Sequence, residues 1–141
     1  GVKYDVDKMG WNYYMNEFSA AIGLEQLKKL DKTNRIRRQI AKRYADELKI
    51  ENKMPFSTNC SYHFYWICVK NRDIFMKKLL SNGIETGIHY KPIHSMKFYA
   101  NKKTVLPNTE NFGTQIVSVP THPNLSESDV SRIIEKINRF S

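Results

Sequence analysis

The chain has 141 residues, 40% of them hydrophobic, with 23 Lys and Arg against 14 Asp and Glu for a net charge of +9. That length supports one compact domain burying roughly 70% of its unfolded surface, and no stretch approaches the ~20 apolar residues of a membrane span. Two cysteines, Cys60 and Cys68, form no zinc or disulfide pattern, and the first residues lack the apolar core of a signal peptide. A reduced, cytoplasmic protein with two unpaired thiols is expected, with a charge surplus that favours anionic partners.

From Asn16 to about Leu48 the pattern is helical. Asn16 is placed to cap, and Glu17 suits the positive end of the helix dipole. Phe18, Ala21, Ile22 and Leu27 give one apolar side, and Ile36, Ile40, Tyr44 and Leu48 recur four apart as a stripe facing a core. A break is expected in the polar stretch Leu30–Asn34. Lys28, Lys29, Lys32, Arg35, Arg37, Arg38, Lys42 and Arg43 load this helix with positive charge; the plain reading is a solvated face.

Residues 52–59 read as a loop, with Pro55 among polar residues. The aromatic and β-branched run Tyr62–Val69 predicts a strand. Ile74, Phe75, Leu79 and Leu80 predict one side of a short helix, capped by Asn71 and ended by Gly83. Ile84–Ile88 is a second expected strand, 91–112 an irregular stretch, and Gln115–Val119 a third strand stopped by Pro120. Ser126 and Asp129 have capping-box spacing, opening a last helix that buries Val130, Ile133, Ile134, Ile137 and Phe140. The order predicts an α+β fold: a long helix packed on a small three-stranded sheet with flanking helices. No repeat and no glycine-rich phosphate loop is present.

The lead-in carries the sharpest signal. Gly10-Trp11-Asn12-Tyr13-Tyr14-Met15-Asn16-Glu17-Phe18-Ser19-Ala20-Ala21-Ile22-Gly23-Leu24-Glu25-Gln26-Leu27 joins an aromatic loop with an amide to a helix that starts with small residues. Further blocks follow in order: Leu24–Asp31 with Arg38 and Tyr44, Ser61–Tyr65, Gly83–His94, and Ser118–Ser126. In order and spacing these resemble the C-terminal portion of the DegT/DnrJ/EryC1/StrS family of pyridoxal-phosphate-dependent sugar aminotransferases. Four blocks across nearly the whole chain are far more specific than any one of them.

The resemblance implies the small C-terminal domain of a fold-type-I PLP-dependent transferase. Residues 1–15 would be a lead-in loop carrying active-site residues, and 16–141 the small α+β domain. It implies an enzyme that moves an amino group, from glutamate, to a nucleotide-linked keto-deoxysugar for surface glycan or secondary-metabolite synthesis. The lysine that forms the Schiff base with pyridoxal 5'-phosphate belongs, in that family, to the larger N-terminal part; no lysine here has that context. The residues of this chain alone are therefore expected to be inactive. A homodimer with shared active sites is implied too, since one family residue serves the partner's cofactor.

Residue by residue, the family's phosphate-binding asparagine matches Asn12, an uncharged donor suited to a dianion. Read by itself, Asn12 is equally an Asx-turn residue. Tyr13 and Tyr14 follow it toward the substrate. Tyr14 departs from the family, which often has a basic residue there; a donor is kept and a charge is lost. His89, Tyr90 and His94, around Pro92, are placed by the resemblance near the substrate, where they could bond sugar hydroxyls or phosphate oxygens. Each histidine, taken alone, also suits a role bonded to backbone carbonyls. Lys91 is either a diphosphate contact or solvated, and His63 lies in a strand with either orientation open. His122 is remote in sequence and no carboxylate is close, so no metal site is expected. The reading from another class is a basic nucleic-acid-binding α+β module, with the cationic helix on phosphates and tyrosines stacked on bases. It accounts for the charge but not for the Gly10–Leu27 pattern, and neither nucleic acid nor membrane is expected as a partner.

Overall fold

A computed structural model describes residues 8–99 and 104–141. The first seven residues of the expected lead-in loop, and 100–103 of the expected irregular stretch, lie outside the described residues. The chain divides into two compact units, 1–31 and 32–141, with the division falling inside one helix.

That helix, α1 (Glu17–Glu47), opens as its sequence predicts: the Ser19 amide donates to Asn16 Oδ1 at 2.8 Å. The expected break at Leu30–Asn34 does not occur, because α1 is continuous through it. The stretch holds neither Pro nor Gly, and its Asp, Thr and Asn each cost at most about 0.7 kcal/mol relative to alanine. In the first unit the helix presents Phe18, Ile22, Leu24 and Leu27 outward, all exposed.

In the second unit Ile40, Ala41, Tyr44 and Leu48 turn the other half of α1 into the core, which confirms the stripe read four apart. The core faces a two-stranded antiparallel sheet, β1 (Tyr65–Cys68) and β2 (Ile116–Val119), in the register Tyr65↔Val119 to Cys68↔Ile116. Both strands are shorter than their sequence runs. Tyr62, expected in β1, sits instead at φ 50, a left-handed conformation that a strand cannot contain. Its buried hydroxyl accepts from the Ser57 amide and lies 3.2 Å from the Pro55 and Ser57 carbonyl oxygens.

The sheet has two strands and not the expected three. Among the described residues the Ile84–Ile88 segment contributes one bridge, Gly87↔Ser118, on the free side of β2. Beside this bridge the His89 ring lies so close that a Cβ on Gly87 would be 2.8 Å from its Cε1. A second bridge, Lys53↔Ile67, flanks β1 in the same way.

Helix α2 (Arg72–Ser81) buries Phe75 and Leu79, one turn apart, while Ile74 and Leu80, expected beside them, are exposed. The Asn71 side chain makes no cap bond, contrary to its reading, but Gly83 ends the helix as predicted. Gly83 has φ 71, its amide donates to the Leu80 carbonyl and that of Ile84 to Leu79. This pair of bonds is a Schellman closure, and Leu79 and Ile84 supply its apolar contact.

The stretch expected to be irregular holds a short 3-10 turn (Ile93–Ser95) and a helix, α3 (Pro107–Gln115). Pro107 is preset for a first helical turn, and Glu110 reaches back to accept from the Leu106 amide at 3.0 Å. Helix α4 (Glu127–Phe140) starts on the predicted capping box, with Ser126 and Asp129 each bonding the other's amide. Val130, Ile133, Ile134 and Ile137 are buried on its inner side, and Phe140 packs half-buried at its end.

Candidate active-site residues

In the first unit the lead-in residues are presented outward. Trp11, Tyr13 and Tyr14 are all more than four-fifths exposed, and Asn12 is exposed between them. Asn12 Oδ1 accepts from the Tyr14 amide at 3.0 Å, the Asx turn that its residue type allows. An amide N–H requires an acceptor, which fixes the orientation of the Asn12 amide and leaves its NH2 as the outward group. The turn and a donor role for Asn12 are therefore compatible, since they use opposite ends of one side chain.

In the second unit His89 lines a cavity of about 630 Å³ that His63, His122, Ser118 and Arg132 also line. The His89 ring stacks on Phe64 with centroids 5.4 Å apart and meets Tyr90 edge-on at 4.9 Å. The His89–Tyr90 peptide is cis. Tyr90 itself is exposed and His94 points elsewhere: its Nε2 lies 3.1 Å from Glu110 Oε1, tying the proline loop to α3. Bonds from the Leu106 amide and from His94 hold the Glu110 carboxyl below the usual carboxylate range.

His63, of either orientation by sequence, and His122, remote from the loop in sequence, both line the His89 cavity. Ser118 was not singled out at all. The available signal was its position in a run, Ile116–Val119, whose other members are all apolar and buried. Asp129 and Arg132 on α4 complete the polar rim. The Asp129 carboxyl is held below its ordinary range, first by the Ser126 hydroxyl and then by the Ser126 amide. Among the described residues no three potential ligands group as a metal site.

The cationic helix is less bare than its sequence suggests. Lys42 pairs with Asp46, Arg43 with Glu47 and Glu127, and Lys28 with Glu25. Arg37 and Arg38 donate to the carbonyls of His63 and Thr58 at 3.0 and 3.1 Å. Arg37, Arg38 and Arg43 thus fasten α1 to the chain around it. Exposed pairs of this kind are each worth about 0–1 kcal/mol.

A layered α+β unit with His89 at a cavity that Ser118, His63 and His122 also line defines the class of the second unit. Comparison with known proteins places it further. A model of the DegT/DnrJ/EryC1/StrS aminotransferase family matches residues 1–138, and the chain belongs to that family. Solved structures agree. An aminotransferase of this family from Brucella abortus is 32% identical with a TM-score of 0.86, over 99% of this chain and 39% of that one. The sugar aminotransferase CalS13 from Micromonospora echinospora is 28% identical with a TM-score of 0.85, over 98% and 39%. Helicobacter pylori PseC, an aminotransferase involved in the biosynthesis of pseudoaminic acid, is 27% identical with a TM-score of 0.82, over 99% and 42%. The chain spans about two-fifths of the length of these relatives.

Proposed function

We propose that this chain is the C-terminal portion of a PLP-dependent aminotransferase that passes an amino group, from glutamate, to a nucleotide-linked keto-deoxysugar. In this reading residues 1–15 are a lead-in segment, 16–141 the small domain, and the enzyme a cytoplasmic homodimer with shared active sites. The lysine that carries the cofactor lies in the portion of the enzyme outside this chain, so these residues alone turn over no substrate.

The observation that supports the reading most directly is the outward NH2 of Asn12. Its oxygen is committed to Tyr14, so what it offers another molecule is a donor pair with no added charge. That fits the phosphate of pyridoxal 5'-phosphate, which only accepts. Asn12 reaches it across the dimer, and the exposed rings of Tyr13 and Tyr14 lie beside the substrate. When bound, the cofactor supplies an electron sink for proton loss at the carbon that bears the amino group.

The remaining residues bind and orient. His89, held between Phe64 and Tyr90, presents a fixed ring edge to sugar hydroxyls or phosphate oxygens. The Tyr90 hydroxyl adds a second donor, and His94, bound to Glu110 at Nε2 away from the His89 cavity, offers Nδ1 at a separate point of the loop.

The test is Asn12→Ala in the complete enzyme. Losing a hydrogen bond to a charged group, about 1.5–3 kcal/mol, should weaken PLP retention by about tenfold or more while leaving the thermal midpoint nearly unchanged. Unchanged cofactor affinity removes Asn12 from the site.

A further inference from the structure

Gly113 lies inside α3, where glycine costs helix stability relative to alanine. No left-handed backbone calls for it, since among the glycines of the described residues only Gly83 has a positive φ. Its surroundings do: a Cβ at position 113 would lie 2.6 Å from Pro92 Cγ and 2.8 Å from Pro92 Cδ. These atoms belong to a closed ring that cannot rotate aside. The Pro92 ring therefore rests directly on the backbone of α3. Pro92 is itself held, because the amide and the hydroxyl of Ser95 both donate to its carbonyl, at 3.0 and 2.7 Å.

One turn before Gly113, Glu110 makes a second contact with the same loop. Its Oε1 lies 3.1 Å from His94 Nε2 and accepts the Leu106 amide at 3.0 Å. The carboxyl, held below its usual range, is ionised and can only accept. His94 Nε2 is thus the nitrogen that carries the hydrogen. Beside these two contacts α3 and the loop enclose a cavity of about 330 Å³ that Pro92, Ser95, Glu110 and Gly113 line, so the loop depends on few points. The helix is fixed at one of them: the Gly113 carbonyl accepts from Arg72 Nη1 at 2.6 Å.

We infer that Gly113 is a positioning residue for the loop 89–94: its missing side chain seats Pro92 against α3, and this seat, with the Glu110–His94 bond, sets where Tyr90 and His94 stand. The consequence for binding rests on the proposed substrate role of that loop, but the seat does not. To reach ordinary contact at 3.4 Å, an added Cβ would drive Pro92 off by about 0.8 Å. A shift of that size is enough to break a 3.1 Å bond two residues further on.

The test measures thermal midpoint and sugar-nucleotide affinity of the complete enzyme in two backgrounds. Pro92→Ala removes Cγ and Cδ, and the backbone there, φ −53 and ψ 129, is open to alanine. With Pro92 in place, Gly113→Ala should lower the midpoint. In the Pro92→Ala background it should raise the midpoint, because only the helix preference for alanine is left. Gly113→Ala should also raise the Kd for a UDP-sugar or dTDP-sugar about tenfold, the effect of losing one charge-assisted bond, with PLP retention unchanged. Once Pro92 is alanine, the same substitution should leave that Kd where it is. If Gly113→Ala alone fails to fold, recovery in the double variant supports the inference. A midpoint raised equally in both backgrounds overturns it, as does a double variant that also fails to fold. His94→Gln separates the two readings. Weaker sugar binding in His94→Gln but not in Gly113→Ala removes the positioning role. Unaltered binding in both, with the midpoints still moving in opposite directions, leaves the seat standing and removes the substrate role of the loop.

Discussion

The Tyr44 hydroxyl donates to the Pro120 carbonyl at 2.7 Å, joining the last turn of α1 to the residue that stops β2. Tyr44 is fully buried, and its ring meets Tyr65 edge-on with centroids 5.3 Å apart. Burial pushes both phenols well above their ordinary range, so they act as donors and not as ionised groups. Tyr65 repeats the device, donating to the Met54 carbonyl at 2.7 Å. The core of the second unit is thus pinned by aromatic residues whose polar ends close loop carbonyls.

Tyr44→Phe should therefore cost about 1 kcal/mol, the net worth of one such bond. Tyr44→Ala should cost about 3–5 kcal/mol by leaving a cavity as well. Urea titration of the two variants separates these terms. Equal losses would mean that the ring contributes nothing beyond the hydroxyl.

Gly83→Ala should destabilise by about 1–2 kcal/mol, the penalty for an L side chain in the left-handed region. The added Cβ would also approach Arg132 Nη2 to 3.2 Å, and that guanidinium can shift. Gly83→Asn, whose side chain tolerates this conformation better, should recover part of the loss. A thermal midpoint unchanged by alanine would show that the backbone relaxes out of φ 71.

What the sequence revealed and what it hid follow from the range of the forces involved. Helix caps at Asn16, Ser126 and Gly83 are local chemistry within a few residues, and they are present as read. The α1 and α4 core positions follow from period alone. The strand expected at Ile84–Ile88 reduces to the single bridge Gly87↔Ser118, an outcome of pairing between distant segments that propensity does not report. Helix α3 was missed because its polar composition, with Gly113 inside it, argues against a helix. Tertiary neighbours settle it: Trp66 meets Phe112 edge-on at 5.2 Å, and Arg72 donates to the Gly113 carbonyl at 2.6 Å. Among the proposed site residues, Asn12, His89 and Tyr90 stand out in the sequence as residue types in a pattern. The approach of Ser118, His63 and His122 to one cavity does not, since it depends on strand pairing across some fifty residues.

Neutralising the cationic face of α1 offers a check on the internal ion pairs. Arg43 bonds Glu47, Glu127 and the Ser131 hydroxyl, linking α1 to α4, and its side chain is 26% exposed. Arg43→Gln should cost more than Lys42→Gln, whose pair with Asp46 is half-exposed and lies within one helix. The expected loss is about 0.5–1 kcal/mol for Arg43 and near zero for Lys42, with the difference shrinking in high salt. Equal effects would show that the bridge to α4 carries no stability.

The capping box of α4 sets the response to acid. The Ser126 hydroxyl and amide both favour the charged form of Asp129, so its carboxyl titrates below the ordinary aspartate range when folded. A group whose folded pKa is depressed stabilises the fold fully above its unfolded value, near pH 4. That contribution is lost as pH falls through the folded value. Stability should therefore decline below about pH 4 more steeply in the wild type than in Asp129→Asn, which has no such group to protonate. Ser126→Ala removes the cap itself and should cost about 1 kcal/mol at neutral pH. Because it also removes the hydroxyl bond to the Asp129 carboxyl, the larger of the two that favour its charged form, and keeps the amide bond, it should make the acid limb of the stability profile shallower. A Ser126→Ala protein whose acid limb keeps the wild-type slope would assign that slope to other carboxylates, with Glu110, depressed through the Leu106 amide and His94, the next to test.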